Sequence, residues 1–203
     1  MQATDFKTRT NTRTLALIII FISLAIALNV YGPKIPFPIA PFLYFQLWEI
    51  PIVVAFLAIG PKAGVTITVI NSLILLAVFP GGLPTGPLYN LIAVLAMLIG
   101  IYIPYRIATH GCKIENLGSF LRQHVKLITV AATALGIIFR VAITSFVNYF
   151  ALQQPYPIGF SFQQLDALAF LPVGAVFNAT IAIYTIPVAI GIAIALTSRV
   201  KIQ

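Results

Sequence analysis

The chain has 203 residues, 60% of them apolar and only 8% charged, which leaves too little polar surface to cover a globule in water. Its formal charge of +8 is scattered through short connecting stretches and forms no patch that would track a phosphate backbone, so nucleic acid is excluded as a partner. A single cysteine, Cys112, excludes a disulfide framework and any multi-cysteine metal centre, and no metal site is expected.

The remaining class is an all-α polytopic membrane protein, read as one membrane domain over residues 1–203. A hydrocarbon core about 30 Å thick requires roughly 20 apolar residues per helix, and the apolar runs predict six transmembrane helices. Residues 1–14 form a polar tail with Lys7, Arg9 and Arg13. The first span, Leu15 to Tyr31, runs on without a clear small-residue cleavage site, so it reads as a retained helix rather than a signal peptide. The stretch from Gly32 to Phe42 contains four prolines at 33, 36, 38 and 41, which restrict the backbone to extended or polyproline-like shapes. The second span, Gln46 to Ile59, is short and ends at Gly60-Pro61-Lys62, where Gly permits a tight reversal and Pro cannot continue the helical hydrogen bonding. The third, Ala63 to Phe79, stops at Pro80-Gly81-Gly82. The fourth covers Pro87 to Tyr105, the fifth Val125 to Leu152, and the sixth Leu168 to Leu196.

Charge placement tests the count. With the N-terminus inside, Lys7, Arg9, Arg13, Lys62, Arg106, Lys113, Arg122, Lys126, Arg199 and Lys201 all fall on the inner side, and Lys34 alone falls in an outer loop. Both termini are therefore expected in the cytoplasm. The outer loops carry the unusual composition: proline with aromatic residues from Gly32 to Phe42, and again in Gln153 to Phe160. These stretches read either as interfacial anchors or as a lid over a pocket for a flat, partly apolar ligand.

Polar groups in hydrocarbon are costly unless partnered, so their positions are informative. Arg140 lies about 22 Å along the fifth span at 1.5 Å per residue, too deep for a terminal anchor. It reads as a structural cation paired with Glu49, as a ligand contact, or as both, since a guanidinium has five donors. Glu49, beside Trp48, is the one acid in the first four spans. Asp166 suits the N-terminus of the sixth helix. Tyr89-Asn90 and Asn148-Tyr149 reach similar outer depth and offer neutral hydrogen bonding with adjoining ring area. Asn71 and Asn178 are deeper, with interhelical bonding the alternative for each. Trp48, Phe42 and Phe45 are candidates for stacking or lid area, and Ala16, Ser23 and Ala27 place small residues on one face of the first helix, where a partner helix or the protein's own helices would approach.

Catalytic chemistry finds little support: there is no Gly-x-Ser-x-Gly elbow, no His-Glu-x-x-His helix and no phosphate-binding Gly-rich loop, and both histidines, His110 and His124, lie in or beside the inner loop. Concentrative uptake would need an ATPase on another chain.

Several segments in order resemble one family. Trp48-Glu49-Ile50-Pro51, Gly60-Pro61-Lys62-Ala63-Gly64 and Asn71, then Gly86 with Asn90, Asn148-Tyr149 with Pro155-Tyr156, and Phe177-Asn178 after Pro172 resemble the motif series of the S components of energy-coupling-factor (ECF) vitamin transporters, most closely the riboflavin group. The resemblance implies six helices, an outward-opening ligand cavity, and association with a membrane coupling subunit and two cytoplasmic ATPases, the loaded S component toppling within a prokaryotic cell membrane to deliver its vitamin. Two positions depart from the pattern: Ile20 interrupts the alanine spacing of the first helix, and Ile181 stands where the riboflavin group tends to carry Lys. The expectation is a non-enzymatic substrate-capture protein for a water-soluble vitamin, riboflavin first among them, with the ligand held at a site of Phe42, Phe45, Trp48, Glu49, Asn71, Tyr89, Asn90, Arg140, Asn148, Tyr149 and Asn178. Arg140 would polarise a ligand carbonyl or bind a carboxylate. The alternatives are a solitary facilitator for another vitamin such as biotin or thiamine, an intramembrane enzyme, or an assembly subunit.

Overall fold

Apolar runs bounded by Gly and Pro become helices in the computed structural model, which describes residues 12–78, 83–109 and 124–199. The N-terminal tail through Asn11, the Pro80-Gly81-Gly82 stop and the basic loop with His110, Cys112, Lys113 and Arg122 lie outside the described residues. In chain order the elements are α1 (Thr12–Tyr31), β1 (Ile35–Phe37), β2 (Ala40–Phe45), α2 (Glu49–Ala58), α3 (Pro61–Val78), α4 (Gly86–Thr109), α5 (Val125–Ala151) and α6 (Gln164–Arg199). Five of these helices are long and apolar enough to cross a membrane, which makes this a multi-pass membrane protein; α2 is the exception.

The second expected span, Gln46 to Ile59, is a shorter helix in the structure, Glu49–Ala58. Its helix has 10 residues, about 15 Å at 1.5 Å per residue and half of a bilayer core. Pro51 is tolerated in the first turn, Gly60 at φ 140° ends the helix, and Pro61 opens α3 at once. The return is tight because Gly64 lies against Phe56, where a Cβ would come 2.6 Å from the ring-bearing Cβ. Eight of the ten α2 residues are buried, Glu49 among them, as a helix apolar on every side beyond its first residue requires. Packed against α1, α3 and α6, α2 forms the centre of the bundle rather than part of its wall.

The first proline-rich loop is also more ordered than polyproline composition implies. β1 and β2 pair antiparallel, Ile35 opposite Phe45 and Pro36 opposite Tyr44, with a bulge at Pro36/Phe37. An isolated two-stranded hairpin is marginal, and this one is held by aromatic contacts with α6. Phe177 meets Phe37 and Phe45 at ring-centroid distances of 5.5 and 5.3 Å, and the Tyr184 hydroxyl donates to the Gln46 carbonyl at 2.7 Å.

Ile52, Val53, Ala55, Ile67, Met97, Ile101, Ala132, Ala182 and Ile186 belong to the close-packed core. Within it α4 and α5 approach backbone to backbone: a Cβ at Gly100 would lie 2.4 Å from the Leu135 carbonyl oxygen and 2.7 Å from the Gly136 Cα. Small residues permit that approach, and in lipid van der Waals packing is the main force holding such helices together.

Candidate functional site: an open cavity above a buried ion pair

Period-four spacing on α5 sets the depth of the site. Arg140, Thr144, Asn148 and Ala151 form one stripe along the helix and line a cavity of about 970 Å³. Opposite them α6 contributes Phe170, Gly174, Phe177, Asn178 and Ile181, again at helical spacing. Helix α4 adds Gly86, Tyr89, Asn90 and Ala93; α3 adds Ile74, Leu75 and Val78; α1 adds Ile26 and Val30. The hairpin and its exit supply Lys34, Phe42, Gln46, Trp48 and Glu49. Ligand pockets typically occupy roughly 300–1,000 Å³, so the space suits one small molecule of vitamin size.

Arg140 and Glu49 close the deep end. Their side chains are 2% and 4% exposed, and the pairing is bidentate: Nη1 donates to Oε2 at 2.5 Å and Nη2 to Oε1 at 2.9 Å. Nε donates to the Asn178 Oδ1 at 2.9 Å, and the Asn178 amide nitrogen donates to the Gly174 carbonyl at 2.9 Å. Met97 Sδ lies 3.5 Å from Nη1 on the core side. A buried charge survives when it is paired and hydrogen-bonded, and here the bidentate pair with the bonds to Asn178 and Met97 engages four of the five guanidinium N–H groups.

The rim is built from the second proline-rich stretch. After α5 the chain folds back on itself, the Phe160 and Phe162 amides both donating to the Leu152 carbonyl, at 3.2 and 3.0 Å. Gly159 is required there because a Cβ would collide with the Ala151 carbonyl oxygen. The start of α4 holds this loop: Thr85 Oγ1 donates to the Pro157 carbonyl at 2.8 Å and the Tyr89 hydroxyl to the Ile158 carbonyl. Phe42 of the hairpin stacks with Phe170 at 5.8 Å and reaches Phe160 at 6.3 Å, so the two aromatic loops meet over the opening.

Of the residues singled out from sequence, Phe42, Trp48, Glu49, Tyr89, Asn90, Arg140, Asn148 and Asn178 line this cavity. Three do not. Phe45 packs on Phe177 and Tyr184 behind the hairpin. The Tyr149 hydroxyl accepts from Gln164 Nε2 at 3.0 Å, joining the end of α5 to the start of α6. Asn71 is fully buried on α3, its amide without a hydrogen-bond partner among the described residues. Asp166 lies in the first turn of α6, exposed. Ala16, Ser23 and Ala27 are exposed together on α1, which buries only Ala25 and Asn29. Thr144, Phe162, Phe170 and Gly174 were missed, although the Arg140-Thr144-Asn148 and Phe170-Gly174-Phe177 spacings carry the signal.

No family model and no curated protein matches the chain. A solved structure does, one described as "Structure and mechanism of the S component of a bacterial ECF transporter", with a TM-score of 0.63 and 22% identity over 93% of this chain and 95% of that one. The two share a fold. Both chains are covered almost end to end, so the likeness extends to the whole helical bundle and not to a fragment of it.

Proposed function

We propose that the chain is the substrate-capture S component of an ECF importer, binding a water-soluble vitamin from outside, with riboflavin the leading candidate. The observation that carries this reading is the cavity of about 970 Å³ walled by unpaired amides and aromatic rings above a closed ion pair. An open space of this size costs the bundle packing contacts that a bound molecule would restore, and its mixed apolar and amide lining suits a small, partly apolar ligand. The shared fold supports the assignment. In this reading the bundle crosses a prokaryotic membrane six times with both termini in the cytoplasm, α2 and the segment before it together forming the second crossing, and the distribution of Lys and Arg supports that orientation. The exposed face of α1 with Ala16, Ser23 and Ala27 meets the membrane coupling subunit, and two cytoplasmic ATPases drive the cycle.

Two experiments test the proposal. Protein purified in detergent is expected to bind riboflavin and to carry its yellow absorption. A colourless preparation indifferent to added riboflavin removes that vitamin from the assignment. Co-expression with a tagged coupling subunit and ATPases is expected to recover the chain in the complex. Vitamin uptake without such recovery would replace the proposal with a solitary facilitator.

A further inference from the structure

An arginine at the bottom of a cavity ordinarily acts as an anion receptor. Here its capacity is already taken. A guanidinium offers five N–H groups. Nε is held by Asn178, Nη1 by Glu49 and Met97, and Nη2 by Glu49, which leaves at most one N–H, on Nη2, to face a ligand. Its charge is matched by a carboxylate that itself lines the cavity. The side chains left for a ligand are neutral: among the described residues the amides of Asn90 and Asn148 and the indole N–H of Trp48 make no hydrogen bond, and all three line the space. Each amide presents a donor and an acceptor together.

From this geometry we infer that Glu49 sets the charge selectivity of the cavity. By holding Arg140 in a closed pair it keeps the deep end neutral, so the site takes an uncharged ligand with a combined donor and acceptor edge, such as an imide or amide ring, and rejects carboxylates. The inference rests on the vitamin-binding reading above. A carboxylate entering the deep end would lose its hydration and lie beside Glu49, and like charges placed together at a desolvated contact cost several kcal/mol. Lys34 does not compensate. It is the other cation lining the cavity, but it is exposed at the hairpin, where a solvated charge contributes about 0–1 kcal/mol. The role of carboxylate partner to Arg140, open to a ligand on sequence grounds, is filled from within the chain.

The test is a binding panel on the full-length protein in detergent, read by calorimetry and thermal shift. It comprises riboflavin and three matched pairs: nicotinamide and nicotinate, pantothenol and pantothenate, biotinamide and biotin. The wild type is expected to bind its best neutral compound at least about 30-fold more tightly than any acid, the scale of an unmatched buried charge. Glu49→Gln keeps the shape and leaves Arg140 unneutralised, and it is expected to move the acid-to-neutral ratio toward acids by about the same factor. A structural role alone would lower thermal stability without moving that ratio. Should Glu49→Gln fail to fold, the double variant Glu49→Gln/Arg140→Gln removes both charges and is expected to keep the neutral preference. An acid that binds the wild type as well as the best neutral compound overturns the inference, as does an unchanged ratio in a folded Glu49→Gln or acid binding by the double variant. If no compound binds the wild type, the vitamin-binding reading itself falls, and the inference falls with it.

Discussion

The two ends of the bundle follow opposite rules. On the core side of Arg140, α2, α4, α5 and α6 pack until glycine meets glycine, and Ile52, Val53, Ile101, Ala182 and Ile186 have at most 5% of their surface exposed. On the hairpin side the same helices, together with α1 and α3, enclose about 970 Å³ of open space. One helix shows both: α5 contributes Gly136 to the dense end and Asn148 to the hollow one, about three turns apart. The chain is therefore able to pack densely, and the hollow end is a property of its side chains. Amides and large rings join aliphatic side chains above the ion-pair layer, and closing the space would take the amides of Asn90 and Asn148 out of water.

That contrast is broken most severely at the boundary. Arg140→Ala leaves Glu49 buried without a partner and is expected to destabilise the protein by about 3–5 kcal/mol, seen as a lower thermal midpoint in detergent and reduced recovery from membranes. A variant that melts with the wild type would remove the ion pair as the divide between the halves. In the dense half, Gly100→Ala forces α4 and α5 apart, because the new methyl meets backbone rather than a flexible side chain. The expected loss is about 1–3 kcal/mol of stability, larger than the same exchange at Gly86, where a Cβ meets nothing within 4 Å.

The hollow half should show the reverse pattern. Asn148→Ala removes an amide that makes no hydrogen bond among the described residues, so stability is expected to stay within about 0.5 kcal/mol of wild type while ligand affinity falls roughly 10-fold. A stability loss with unchanged affinity would place Asn148 in the scaffold instead. The smallest effect is expected at the rim. Tyr89→Phe loses the bond to the Ile158 carbonyl, about 1 kcal/mol, and should speed amide hydrogen exchange at Gly159 and Phe160 without altering exchange in α2.

Legibility from sequence also differs between the halves. The helices could be read because each long apolar run is bounded by Gly, Pro or basic residues, and the termini of α1, α3, α4 and α5 lie within four residues of expectation. α2 begins three residues later than expected, because periodicity marks an apolar segment but not where tertiary packing allows the helix to begin, and residues 46–48 serve as the exit from the hairpin. The hairpin itself was hidden by prolines, which suit an edge strand only when rings on another helix hold it. Arg140 and Glu49 stood out through cost alone. The face that each polar residue presents was harder, because Asn148 and Tyr149 are adjacent yet one lines the cavity and the other caps the start of α6. That difference is about 100° of helical rotation, set by packing rather than composition.

Trp48 provides the most direct measurement. It is the one tryptophan of the chain and it lines the cavity beside Glu49, so its fluorescence responds to occupancy of this site. Titrating the detergent-purified protein with riboflavin should quench that emission saturably at one ligand per chain, with the midpoint displaced roughly 10-fold in Asn148→Ala. Folded protein whose Trp48 emission, corrected for absorption of the light by the vitamin, shows no saturable change with riboflavin or with any other vitamin of the panel would contradict a ligand site in the hollow half.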